Sequence, residues 1–95
     1  MVRRIIKVNL KDMPCGTTSA VQTFSLPEGA QVLGVFSGTA DYMRVLVDDN
    51  AQYRPTSFVV VGGMRDELRV PDNAGKHVGS AGHVHVFEMV EVVNG

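Results

Sequence analysis

The stretch Gln31-Val32-Leu33-Gly34-Val35-Phe36-Ser37-Gly38-Thr39-Ala40-Asp41-Tyr42-Met43-Arg44-Val45-Leu46-Val47 sets two apolar runs on either side of a short polar turn. Runs of this length, rich in β-branched and aromatic residues and bounded by Ser, Gly and Thr, read as the two strands of an antiparallel hairpin. The first strand is expected over residues 31–37 and the second over 42–47. Gly34 inside the first run leaves a position without a side chain to pack, which marks a bulge or a close backbone approach.

Working outward toward the start, residues 19–26 read as another strand, with Phe24 and Leu26 on one face. Pro27-Glu28-Gly29 ends it, because Pro presets the turn dihedral and Gly accepts positive φ. Residues 3–10 alternate: Ile6, Val8 and Leu10 point one way, Ile5, Lys7 and Asn9 the other. Between these strands, residues 11–18 carry the Asp, Pro, Gly and Thr of a loop.

Toward the end, residues 48–55 are a polar loop. Its Asp48-Asp49-Asn50 lacks the spacing and terminal Glu of a calcium loop, so it reads as an acidic turn. Residues 56–61 contain Phe58-Val59-Val60-Val61, a continuous apolar run that implies burial on both faces, in a sandwich or at an oligomer interface. Gly62-Gly63 ends that run. Residues 64–69 have room for one helical turn at most. Residues 70–76 read as loop, and residues 83–93 as the closing strand. No segment holds a 3.6-residue apolar period. The expected fold is all-β: one small antiparallel β-sandwich or open barrel of about six or seven strands over residues 1–95, with no substantial helix.

Composition agrees with a single folded domain. The chain has 95 residues, 44% hydrophobic and 20% charged, an ordinary globular balance. A domain this small buries roughly two-thirds of its unfolded surface, a thin margin that oligomerisation often widens. Nine Lys and Arg against ten Asp and Glu leave a formal charge of −1, so counterion release offers no strong drive toward nucleic acid or an anionic membrane. Arg3, Arg4 and Lys7 read as the solvated edge of a strand, where charge discourages edge-to-edge pairing. Cys15, the one cysteine, allows no intrachain disulfide and fits a reducing compartment. With no His near it in sequence, Cys15 reads as inert. No run approaches the ~20 apolar residues of a membrane span, and no apolar signal core follows Met1.

Chemistry concentrates in His77-Val78-Gly79-Ser80-Ala81-Gly82-His83-Val84-His85-Val86-Phe87-Glu88, which holds all three histidines. It reads as a tight glycine turn feeding the last strand. Alternation would set His83, His85, Phe87 and Met89 on one face of that strand and Val84, Val86, Val90 and Val92 on the other. A His-x-His pair offers two imidazoles to zinc, but no third ligand stands at a fixed spacing, so no metal is assigned. Ser80 lacks the Gly-x-Ser-x-Gly elbow and its strand-to-helix setting. Gly79 to Gly82 lacks the helices of a backbone-clamping Gly-x-x-Gly loop, and Gly75-Lys76 is not a P-loop. These readings assign no catalytic residue and no cofactor. What remains is a glycine turn whose N–H groups can hold an anion. The candidate ligand set is Gly79, Ser80, Gly82, His83 and His85, with Arg44 and Arg65, and also Arg69, adding charge if the fold gathers them.

From about Ile5 to Glu88 the chain resembles a family of small domains encoded in bacteriophage genomes and prophages. The markers are Leu26-Pro27-Glu28-Gly29-Ala30, Leu46-Val47-Asp48, Phe58 with Gly62, His77-Val78-Gly79 and the closing His85-Val86-Phe87-Glu88. Two places depart from it. Val84 stands where members tend to carry Trp, and Gly62-Gly63-Met64-Arg65-Asp66 stands where they tend to carry a Gly-Thr-Gly-His-Pro-like stretch. The family has no established activity, so the resemblance implies only a phage accessory protein of compact β-fold.

The leading expectation is therefore a non-enzymatic homo-oligomer in the host cytoplasm. It would sequester a nucleotide-like ligand, or bind a host defence protein, to counter host defence. The alternatives are a virion component, as a capsid decoration, cement or tail-associated protein, and a metal binder using His83 and His85. Membrane and nucleic-acid partners are not expected.

Overall fold

The computed structural model describes residues 2–13 and 17–90, and these form seven antiparallel strands with no helix. The strands are β1 (Arg3–Asn9), β2 (Ser19–Pro27), β3 (Gln31–Phe36), β4 (Tyr42–Asp48), β5 (Tyr53–Gly62), β6 (Ala74–Ala81) and β7 (Val84–Met89). One sheet has the order β1-β4-β3 and the other β2-β5-β7-β6. Alternation aims Val35, Met43, Val45 and Val47 of the first sheet at Leu26, Phe58, Val60 and Val86 of the second, and Leu10 closes one end. Excluding these apolar side chains from water is the main term holding the sheets together.

The expected hairpin forms: β3 and β4 pair from Gln31↔Leu46 to Phe36↔Tyr42, with a register shift between Val32 and Gly34. The turn after β2 also forms. Gly29 has φ of 81°, and the Ala30 N–H donates to the Pro27 carbonyl at 3.1 Å. Cys15, with Pro14 and Gly16, lies outside the described residues, as do positions 91–93 of the expected last strand.

Several expectations change. Residues 70–76 were expected to be loop and Gly79 to Gly82 a tight turn, but β6 runs through Ala74–Ala81 and pairs with β7. The turn is shorter than expected. Ala81 pairs with Val84, so the hairpin loop is Gly82-His83 alone. Gly82 has φ of 56° and His83 does not have positive φ, the pattern of a type II′ turn with glycine first. Substituting Gly82 by alanine forces a Cβ into that left-handed conformation. The expected cost is about 1–2 kcal/mol, read as a lowered midpoint in urea unfolding. β5 is also longer than expected, starting at Tyr53 within the supposed polar loop.

The apolar run of β5 is buried on both sides, for a reason the sequence did not specify. Phe58 and Val60 belong to the core between the sheets. Val59 and Val61, each 1% exposed, face the other way. The segment between β5 and β6 folds back over this outer face: Pro71 and Asn73 border Val59, while Leu68 and Val70 border Val61. A loop from the same chain thus supplies the second cover.

Candidate functional site

The pleat of β7 turns His85 and Phe87 away from the core, since Val86 between them is fully buried against the opposite sheet. Register with β6 places Ser80 opposite His85 and His77 opposite Phe87. The His77 ring lies 5.8 Å from that of His85 and 5.2 Å, edge-on, from that of Phe87. Beside this cluster the covering segment leaves an open cleft of about 190 Å³, lined by Val61, Leu68, Val70, His85 and Phe87. Its walls are apolar, and His85 is the polar group set into them. The side-chain hydrogen bonds among the described residues involve groups other than the two imidazoles.

The expected histidine face is corrected. His83 occupies the hairpin loop, is exposed, and accepts a hydrogen bond from the Gly63 N–H through its carbonyl. It does not share a strand face with His85; His77 does. His83 therefore lies in the loop and His85 in β7, and among the described residues no three His, Cys, Asp or Glu side chains gather as a metal-holding group.

The anion-binding glycine turn is corrected as well. Gly79 sits inside β6 opposite Val86, and its role is close packing. A Cβ there would lie 2.8 Å from Val35 Cγ2 and 2.9 Å from the Val35 backbone nitrogen. Ser80 is an exposed strand residue, and of the three positions only Gly82 lies in the turn. The arginines do not converge on the histidines. Arg44 projects from β4 on the outer face of the other sheet, its guanidinium 5.4 Å from the centre of the Tyr42 ring. Arg65 lies on the covering segment with Arg69, where both border a second cleft with Thr18, Glu67 and Leu68. Leu68 lines both clefts, so these two arginines stand near the His85 site without entering it.

Sequence reading named His85 and Phe87 but missed Val61, Leu68 and Val70. The signal for them was the both-faces burial implied by the β5 run, joined to the long connection before β6. A connection of that length over an apolar face tends to cover something. Among the described residues no helix is long and apolar enough to cross a membrane. Comparison with family models, with curated proteins and with solved structures finds no match.

Proposed function

We propose that this chain is a non-enzymatic phage accessory protein that holds a small nucleotide-like ligand and thereby counters a host defence. One observation carries the reading: an apolar cleft on the outer face of β7 has a single imidazole, His85, set among Val61, Leu68, Val70 and Phe87. Apolar walls with one orienting polar group are the usual make-up of a small-molecule site. A ring system suits such walls, and Arg65 and Arg69 on the covering segment supply charge for a phosphate beyond the cleft mouth. Val70, 51% exposed, leaves that mouth open, and in a homo-oligomer a second copy would complete it. The sequence resemblance to phage-encoded domains supplies the setting, the host cytoplasm.

The test is native mass spectrometry of protein purified from cell extract, followed by titration with the ligand released. His85→Ala is expected to weaken binding about tenfold, the loss of one well-placed hydrogen bond. It should leave the melting temperature within a degree or two, because His85 makes no structural hydrogen bond among the described residues. Absence of any nucleotide-sized adduct, with the protein instead abundant in purified virions, would reject sequestration in favour of a virion component.

A further inference from the structure

On the opposite side of the sandwich, the outer face of β1-β4-β3 carries residues the His85 cleft does not use. Phe36 and Tyr42 are directly paired across β3 and β4, and their rings stack with centroids 5.7 Å apart and planes inclined by 28°. The Phe36 ring packs over Gly34: its Cζ lies 3.0 Å from where a glycine Cβ would stand. With no side chain beneath it, the ring settles onto the sheet, and Phe36 remains 45% exposed. Two cations flank the pair. Lys7 Nζ is 4.6 Å from the Tyr42 ring centre, and the Arg44 guanidinium is 5.4 Å from it.

Lys7 and Arg44 are register partners on β1 and β4, so two like charges stand side by side. Like charges directly opposite each other destabilise a strand pair. Among the described residues, the group that the two cations share is the Tyr42 ring. The nearest carboxylate in register, Asp48, stands opposite Arg3 at the far end of β1, and its Oδ1 accepts from the Asn50 N–H. Among the described residues the salt bridges are Arg4–Asp49 and Arg54–Glu28, so neither Lys7 nor Arg44 is paired with a carboxylate there.

We infer that this face binds a short stretch of single-stranded nucleic acid, with one base stacked on Phe36 beside Tyr42 and the adjoining phosphates on Lys7 and Arg44. Aromatic platforms with flanking cations suit single strands because every base offers a π-face and every linkage a charge. A duplex does not fit, since its bases are already stacked. The overall charge of −1 is no obstacle, because the contact is local and engages few phosphates.

Fluorescence anisotropy with a labelled ten-nucleotide oligothymidylate, at several salt concentrations, tests this. The expected slope of log affinity against log salt is about −1.4, set by two phosphate contacts. Phe36→Ala should weaken binding about tenfold through lost stacking, and should melt near the parent temperature because the ring is largely exposed. Lys7→Gln and Arg44→Gln should each make the slope shallower by about 0.7. His85→Ala should leave oligonucleotide binding unchanged, which separates this surface from the cleft. No binding of the oligomer would overturn the inference. So would equal affinity for the duplex form, for a lone thymidine nucleotide, or for the Phe36→Ala protein.

Discussion

Replacing Gly79 with alanine is expected to lower the melting temperature by roughly 10–20 °C, the effect of about 2–3 kcal/mol in a domain of this size. The reason is the contact between sheets at the β3–β6 edge. A Cβ on Gly79 would meet Val35 at three atoms, Cγ2 at 2.8 Å, the backbone nitrogen at 2.9 Å and Cβ at 3.2 Å. Turning the Val35 side chain relieves only the first. The second requires β3 itself to move, and β3 is held by its ladder to β4. Val35 is a core residue, 7% exposed, so any retreat opens space between the sheets. Gly34→Ala is the internal control. It too adds a methyl to a strand glycine, but there the new carbon meets only the tip of the exposed Phe36 ring, which can swing outward. Its expected cost is under about 1 kcal/mol. Calorimetry of both variants decides the matter. If Gly79→Ala melts within two degrees of the parent, β6 is not seated against β3 as described.

The same glycine shows where sequence reading stops. The β3–β4 hairpin was legible because Met43, Val45 and Val47 repeat with the strand period and a clear turn separates them from the apolar run of β3, whose one break in alternation is the bulge between Val32 and Gly34. β6 offers no such pattern. Ala74-Gly75-Lys76-His77-Val78-Gly79-Ser80-Ala81 has one β-branched residue, two glycines and no alternation. Its ladder to β7 shifts register twice, between Ala74 and His77 and between His77 and Gly79. Such a strand exists because β7 offers a partner and because Gly75 and Gly79 permit close approach: a Cβ on Gly75 would come within 2.6 Å of Val90 Cγ1. Tertiary context overrides local propensity here. The glycines that suggested a turn are the residues that let the edge strand pack.

The candidate site was half legible for a related reason. His85 and Phe87 share a face by simple alternation, and that reading needs only the strand. Their neighbours Leu68 and Val70 come from an irregular segment, whose path no periodicity encodes. Arg44 and Tyr42 were visible as residues of β4, but their relation to Lys7 and Phe36 depends on strand order. β4 lies between β1 and β3, and adjacency in a sheet is a matter of topology. The error over His83 has a narrower cause. A two-residue hairpin loop takes Gly82 and His83 out of the strand, and one position of uncertainty at a boundary moves a side chain off its face.

Gln22 leads to the other large effect. It is the one buried polar side chain among the described residues, 4% exposed, on the core-facing side of β2 opposite Phe58. Its amide binds the Lys11 backbone at both ends: Lys11 N–H donates to Oε1 at 2.9 Å, and Nε2 donates to the Lys11 carbonyl at 2.8 Å. The side chain therefore acts as a strand partner for the chain leaving β1, where no neighbouring strand reaches. Gln22→Ala removes both bonds and leaves a void beside Phe58. The expected loss is about 2–3 kcal/mol, near 1 kcal/mol for each hydrogen bond plus the cavity. Gln22→Leu separates the two contributions. If the void dominates, leucine restores most of the stability; if the bonds dominate, as the paired geometry argues, leucine restores little. Gln22→Glu adds a pH test. Its ionised carboxylate still accepts from Lys11 N–H but faces the Lys11 carbonyl with no donor, so burial and that oxygen together raise its pKa in the folded state. A group whose folded pKa lies above its unfolded value binds more protons when native, and stability then falls as pH rises through the folded pKa. Urea titrations from pH 4 to pH 8 should therefore show Gln22→Glu approaching the parent in acid and diverging toward neutrality. A constant difference across that range would mean that Lys11 is not held by the side chain at position 22.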